Sequence, residues 1–222
     1  MHTLQELINT VDPAWPLVEE WVGLAKNRVE ILPVINQEQA EEALVNIQVT
    51  TRSPMGAIVY HTGGLLIDNS WIRILGSGSE TFNRSLPSWN LGKTLEIYGG
   101  LAPYLLVADD AIGGFYVING GGLGKDAGNV YYFAPDILNW LPMNMNYTQF
   151  LLFCFETDMD DFYEHLRWNN WQEEVKKLKP DYAYSFFPFL WTKEGADINN
   201  VERKVIPVEE IYNFNMEMKS TI

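Results

Sequence analysis

Residues 107–136 carry the clearest pattern of hydrophobic and polar positions in the chain. Apolar and aromatic residues fill two short runs, Phe115–Val117 and Val130–Phe133, and a glycine-rich stretch, Asn119–Gly124, separates them. Short runs of β-branched and aromatic residues bounded by glycine are typical of strands joined by a turn. We therefore predict a β-hairpin at the centre of the molecule, preceded by a strand at Tyr104–Ala108.

Helical patterns occur towards both ends of the chain. A capping box at Thr3 begins a first helix, Asp12 is the predicted N-cap of a second, and Asn36 caps a third. Tyr147–Phe155 is apolar enough for a buried helix, and Glu209–Met218 fits a short helix or a strand. Helices are thus expected before and after the strands.

Further short strands are expected at Arg28–Leu32, Leu65–Ile67, Trp71–Leu75 and Lys204–Val208. Pro54–His61 fits either a helix or a strand, and Phe82–Lys93 has the composition of a loop. We see no repeat, low-complexity tract or linker. The pattern predicts an α+β fold with a central, mostly antiparallel sheet and helices packed around it, in one domain over residues 1–222 with an N-terminal helical extension.

Charge narrows the choice of partners. The chain has 15 basic and 29 acidic residues, a formal net charge of −14 at pH 7. Binding to nucleic acid needs clusters of Lys and Arg, so this balance argues against nucleic acid, and it also disfavours an anionic membrane. A basic partner protein suits it, because complementary charge speeds association. Solubility alone is the simpler explanation of the same charge.

Two further features bear on compartment and chemistry. The chain has no window of about 18 apolar residues and its first residues lack the pattern of a signal peptide. Its single cysteine, Cys154, lies among Leu and Phe residues, which predicts a buried, unreactive thiol and excludes a disulfide framework. We expect a cytoplasmic protein without a cofactor.

A metal site is weakly indicated by Asp161 and His165, which would share one face of a helix. The acidic residues around them fit better as the solvated first turn of a helix capped by Asp158. We therefore expect no metal.

The glycine run Gly120–Lys125 invites comparison with a phosphate-binding loop. Such a loop needs a glycine five residues before its last glycine and a Ser or Thr after the lysine, but Asn119 and Asp126 occupy these positions. A hairpin loop explains the glycines better.

Five polar and aromatic residues in a loop-rich region are candidates for a binding surface: Trp71, Arg73, Arg84, Trp89 and Asn90. Asp109 and Asp110 are further candidates, as a carboxylate pair of the acid–base kind, with His61 as another titratable group. Aspartates at a tight turn also serve local hydrogen bonds, and the arginines can equally serve only to pair with carboxylates.

Five blocks of sequence carry a family resemblance: GGLLIDNSWIRILGSG (Gly63–Gly78), LPSWN (Leu86–Asn90), VADDAIGGFYVINGGGLG (Val107–Gly124), VYYFAPDILNW (Val130–Trp140) and FYEHLRWNNW (Phe162–Trp171). In this order they resemble an uncharacterised bacterial family, a domain of unknown function. The resemblance extends over nearly the whole chain.

More distantly, the chain is similar to the SUKH superfamily, named for Smi/Knr-type regulators and bacterial immunity proteins. The shared features are the hairpin Gly114–Asn119, the aromatic strand Val130–Phe133 and the segment Tyr147–Leu151. The resemblance implies a SUKH-like α+β domain and, for many members, neutralisation of a toxin domain, often a nuclease. The N-terminal helices and Phe162–Trp191 depart from the minimal SUKH pattern, and no catalytic residues carry over.

These observations favour a non-enzymatic, cytoplasmic protein-binding module, and the SUKH resemblance implies an immunity protein that neutralises a basic toxin domain. The alternative is a small-molecule-binding protein or an enzyme that uses a pocket around Trp71, Arg73 and Arg84, with Asp109 and Asp110 as acid–base groups.

Overall fold

The computed structural model describes residues 1–221. Its centre is a seven-stranded sheet in which each strand pairs antiparallel with the next one along the chain. The strands are β1 (Val29–Leu32), β2 (Gly64–Ile67), β3 (Ile72–Leu75), β4 (Tyr104–Asp110), β5 (Phe115–Asn119), β6 (Asn129–Ala134) and β7 (Asn139–Asn146). The predicted α+β class with a central antiparallel sheet is confirmed.

Helices precede, interrupt and follow this sheet. They are α1 (Leu4–Leu7), α2 (Trp15–Leu24), α3 (Gln37–Ile47), α4 (Pro54–His61), α5 (Leu86–Asn90), α6 (Tyr147–Glu156), α7 (Met159–Phe162), α8 (Trp171–Val175) and α9 (Val208–Thr221). Among residues 1–221, no helix has the length and apolar composition needed to cross a bilayer.

The predicted central hairpin is formed by β5 and β6, where Phe115 lies opposite Phe133. The side chain of Asn119 organises the glycine-rich turn between them. Its Oδ1 accepts hydrogen bonds from the backbone N–H groups of Gly121 and Leu123, and its Nδ2 donates to the carbonyl of Gly124. An amide that bonds to the backbone a few residues ahead is the local chemistry that closes such turns.

The start of α2 differs from the expectation. Its N-cap is Ala14 and a proline follows within the first turn, whereas Asp12 lies before the helix and its backbone N–H donates to Asn9 Oδ1. Pro16 fits the first turn of α2 because the N–H that proline lacks would have no helical partner there. Pro54–His61, which fitted two states, is a helix capped by Ser53.

A second, two-stranded sheet follows α8. It consists of β8 (Tyr182–Phe187) and β9 (Glu202–Pro207), paired antiparallel. The Tyr184 N–H donates to the carbonyl of Ala111 at 2.8 Å, and Asn215 Nδ2 of α9 donates to the carbonyl of Gly113 at 3.1 Å. The C-terminal hairpin and helix therefore close over the β4–β5 turn of the large sheet.

Candidate functional site

Asp109 is at the centre of a buried ion-pair network. Its side chain has 0% exposure, and Arg73 Nε lies 2.6 Å from its Oδ1. Arg84 Nη1 lies 2.5 Å from its Oδ2, and Arg84 Nε continues to Asp181 Oδ1 at 3.1 Å. The charges of the predicted site residues Asp109, Arg73 and Arg84 are thus each balanced by an opposite charge within the chain. A buried pair of this kind is costly to break on one side only.

Asp110 belongs to a different network, because successive residues of a strand point to opposite faces. Its Oδ1 accepts from the N–H groups of Ile112 (3.0 Å) and Gly114 (2.7 Å), and its Oδ2 accepts from the hydroxyls of Tyr132 (2.7 Å) and Tyr163 (3.1 Å). Burial raises the pKa of Asp110, and these hydrogen bonds oppose the rise. The two neighbouring carboxylates therefore have separate environments.

Two other predicted residues also lie inside. The ring of Trp71 packs edge-on against Tyr163 and Trp171. Asn90 bonds through its side chain to both the N–H and the carbonyl of Leu106, so that it fastens α5 to β4. Their positions give both residues a packing role.

Trp89 and Arg84 are the two members of the predicted set that line a surface pocket. The guanidinium carbon of Arg84 lies 4.5 Å from a ring centroid of Trp89, and Lys93 Nζ lies 4.3 Å from a ring centroid of the same residue. The pocket has a volume of ≈ 370 Å³, and Asp181 and Glu209 contribute acidic groups to it. Lys93 pairs with Glu209 at 2.9 Å, so the cations here are already neutralised. The binding role of the seven predicted residues stays a prediction.

A larger aromatic surface lies on the C-terminal hairpin and α9. Phe189 stacks on Trp191 with ring centroids 4.5 Å apart and an interplanar angle of 7°. Phe214 of α9 lies 5.2 Å from Phe189 and 5.8 Å from Trp191, and Phe187, which is 66% exposed, lies edge-on to Phe189. We call these four rings and the cavity beside them the aromatic cleft.

The cavity of the aromatic cleft has a volume of ≈ 360 Å³. Its walls are apolar or aromatic for the most part, with Ser185, Glu210 and Asn215 as the polar contributors; the full lining is Ile112, Pro135, Tyr184, Ser185, Phe186, Phe189, Leu190, Trp191, Ile206, Glu210, Ile211, Phe214 and Asn215. An apolar cavity with a few polar groups is the usual form of a binding site.

Part of this cleft is visible in the sequence. Tyr182–Trp191 is rich in aromatic residues, but nothing in the chain places Phe214 beside it, since that contact depends on how α9 packs against β8. Glu210 and Phe214 are four residues apart, a spacing that puts both on one face of a helix, and this spacing is a further signal for the cleft.

The structure also bears on metal binding and on nucleophilic chemistry. Among residues 1–221, no three His, Cys, Asp or Glu side chains come together as metal ligands. Cys154 is buried, and burial raises the pKa of its thiol well above the usual range. His165 is exposed beside Glu164.

The sheet, its ion-pair networks and the aromatic cleft together define an α+β protein with an aromatic surface site. The chain belongs to the family described as Protein of unknown function DUF2625, whose model matches residues 4–211. It is 45% identical over 221 residues to the uncharacterised protein YbfG of Escherichia coli (strain K12), covering 100% of this chain and 99% of that protein.

A second relative is an uncharacterised protein of Haemophilus influenzae (strain ATCC 51907 / DSM 11121 / KW20 / Rd), 39% identical over 220 residues, with 99% of this chain and 96% of the relative covered. These matches confirm the predicted membership of a bacterial family of unknown function. The similarity to the SUKH superfamily stays a prediction.

Proposed function

We propose that this chain is a non-enzymatic protein-binding module that acts in the cytoplasm and contacts its partner through the aromatic cleft. The observation that carries the proposal is the meeting of Phe187, Phe189, Trp191 and Phe214 at the surface beside an open cavity. Exposed aromatic clusters of this kind are typical of sites that bind other proteins.

The construction of the cleft supports this role. Phe189 and Trp191 hold each other in a parallel stack, and Phe214 contacts both rings, so the three side chains are fixed before a partner arrives. Ordering a side chain on binding costs about 0.5–1.5 kcal/mol, and a pre-formed surface avoids much of that cost. The cleft can therefore contribute contact area with little loss of conformational freedom.

The charge of the whole chain supports a basic partner. The formal net charge is −14, and Glu210 adds a carboxylate to the wall of the cavity. Complementary charge raises the rate at which two proteins meet, while the aromatic residues supply short-range affinity. The SUKH resemblance suggests a specific form of this function, in which the partner is a toxin domain that the module neutralises.

Co-expression with the products of neighbouring genes tests the proposal. We expect one such product to co-purify with the wild-type chain and to be lost from the Phe214→Ala and Phe187→Ala variants. Leu101→Ala is the control, because Leu101 is an exposed apolar residue that is not part of the cleft. Retention of the complex in both cleft variants would contradict the proposed surface.

The immunity form has its own readout. If the partner is a toxin domain, cells that express it are expected to survive with the wild-type chain and to die with a cleft variant that folds normally. If the complex forms but the cells die, the proposed binding module stands and the immunity role is contradicted.

A small-molecule or catalytic function at the Arg84 pocket is the second candidate. It is favoured by a concave site of ≈ 370 Å³ in which Arg84, Trp89 and Lys93 meet. Its support is weaker, because Arg84 and Lys93 are paired with Asp109, Asp181 and Glu209. Saturation-transfer NMR with a library of anionic metabolites tests it, and Lys93→Ala should remove any signal that arises there.

A further inference from the structure

Cations stacked on tryptophan recur in this chain. Three arginines lie over tryptophan rings: Arg84 over Trp89 at 4.5 Å, Arg167 over Trp171 at 3.9 Å and Arg203 over Trp168 at 4.8 Å. Attraction between a cation and the face of an aromatic ring is strongest for tryptophan. The fold thus uses the same kind of contact three times.

Each of these arginines also pairs with a carboxylate. The pairs are Arg84 with Asp109, Arg167 with Asp68, and Arg203 with Glu174. The recurring arrangement is a tryptophan face, a guanidinium on it and a carboxylate at the guanidinium edge. It suits arginine in particular, because the planar group can stack and form hydrogen bonds at its edge at the same time.

The aromatic cleft contains two members of this arrangement. Trp191 supplies the tryptophan, stacked on Phe189, and Glu210 supplies a carboxylate on the wall of the same cavity. Within residues 1–221, no Lys or Arg side chain lies over the ring of Trp191, and Glu210 forms no ion pair. The half-buried Trp191 ring therefore has no cationic partner, and the exposed Glu210 has no salt-bridge partner, among these residues.

We infer that the aromatic cleft binds an arginine side chain of a basic partner protein, with the guanidinium stacked on the aromatic rings and its edge towards Glu210. This inference rests on the proposed function and specifies its chemistry. Charge complementarity supports the choice of occupant, because Glu210 is the one charged residue among the described residues that line the cavity and the chain as a whole carries −14.

The test measures binding of three capped tripeptides, N-acetyl-Gly-X-Gly-amide with X as arginine, lysine or norleucine. NMR of the indole N–H groups reports binding at Trp191, whose resonance is assigned by its loss in Trp191→Leu. We expect the arginine peptide to shift this resonance at concentrations up to about 10 mM, the lysine peptide to bind more weakly, and the norleucine peptide to bind least.

Two substitutions separate the contributions. Glu210→Gln should weaken the arginine peptide by about 3- to 10-fold at low salt and leave the norleucine peptide unchanged, since only the charged pair is lost. Glu20→Gln is the matched control, an exposed glutamate on α2 that does not line the cavity. Trp191→Leu keeps an apolar side chain but removes the ring, and should weaken the arginine peptide by about tenfold.

The outcomes distinguish this inference from the proposed function. Equal binding of the arginine and norleucine peptides, with no effect of Glu210→Gln, would overturn the inference and leave the cleft as an apolar docking surface. If no peptide shifts the Trp191 resonance, the inference also fails, while co-expression still decides the proposed function independently. Circular dichroism and thermal unfolding of each variant confirm that a loss of binding is not a loss of fold.

Discussion

The carboxylate of Asp110 lies in the interior with four hydrogen-bond donors directed at its oxygens. Two of the donors are backbone N–H groups of the β4–β5 turn, and two are hydroxyls of Tyr132 and Tyr163. This residue therefore joins a turn to two aromatic side chains from other parts of the chain. The cost is desolvation of the charge, which raises the pKa of Asp110.

We expect stability to depend on pH through Asp110. Its folded-state pKa is raised, so its favourable contribution is fully present below the unfolded value near 4 and is lost as pH rises towards and through the folded value. Asp110→Asn keeps a similar shape and removes this titration. In urea unfolding between about pH 4 and pH 8, the free energy of unfolding of the wild type should fall relative to that of Asp110→Asn.

The control for this measurement is Glu20→Gln, which removes an exposed carboxylate and should follow the wild-type pH dependence. Parallel pH profiles for the wild type and Asp110→Asn would contradict the prediction. The slope of the difference is at most about 1.4 kcal/mol for each pH unit, the value for one proton.

At the scale of elements, the β4–β5 turn and α9 approach each other closely at Gly113. Its φ is +82°, in the left-handed region that favours glycine. A Cβ atom at this position would overlap with the side chain of Ile211 on α9. Glycine is required here both by the backbone conformation and by the packing of the helix.

Gly113→Ala is expected to lower the free energy of unfolding by about 2–5 kcal/mol, as the sum of backbone strain and overpacking against Ile211. Gly121→Ala is the matched control, since its φ is +109° but nothing lies within 4 Å of an added Cβ. It should cost about 1–2 kcal/mol for the backbone alone. Equal losses in the two variants, measured by urea unfolding, would show that the contact with Ile211 does not matter.

Local elements were the part of the fold that could be predicted. The β5–β6 hairpin follows from alternating residues and a glycine-rich turn, and the cap of α3 at Asn36 follows from its side-chain chemistry. The predicted N-cap of α2 at Asp12 is wrong: Asp12 is a plausible cap from the sequence alone, but the helix begins after Ala14, with Pro16 in its first turn. Patterns of this kind depend on neighbours in sequence.

The site shows the limit of the same reasoning. Arg84 and Asp109 were both singled out, but the third member of their network, Asp181, is 97 residues from Arg84 along the chain. Phe214 joins Phe189 and Trp191 only because α9 packs on the hairpin of β8 and β9. Contacts between distant segments depend on the three-dimensional packing, and local patterns do not encode them.

At the scale of the whole molecule, 29 acidic residues against 15 basic residues produce net repulsion in the folded state. The Debye length falls from about 30 Å at 0.01 M salt to about 8 Å at 0.15 M, so added salt screens this repulsion. The buried pair of Arg73 and Asp109 is screened much less, because both side chains are almost fully enclosed.

We therefore expect the melting temperature to rise by about 2–4 °C between 0.01 and 0.15 M NaCl, corresponding to about 1 kcal/mol for a chain of this size. Differential scanning calorimetry measures the change. Choline chloride at the same ionic strength should have a similar effect if screening is the cause, and a fall in melting temperature would contradict the prediction.

The C-terminal hairpin and α9 close over the β4–β5 turn, and this has a consequence for synthesis on the ribosome. The carbonyls of Ala111 and Gly113 receive hydrogen bonds from Tyr184 and Asn215, and Arg84 binds Asp181. A nascent chain that has emerged only as far as residue 180 has already completed the seven strands but has none of these partners. The β4–β5 turn of the large sheet therefore stays exposed to solvent and to chaperones until the last fifth of the chain is made.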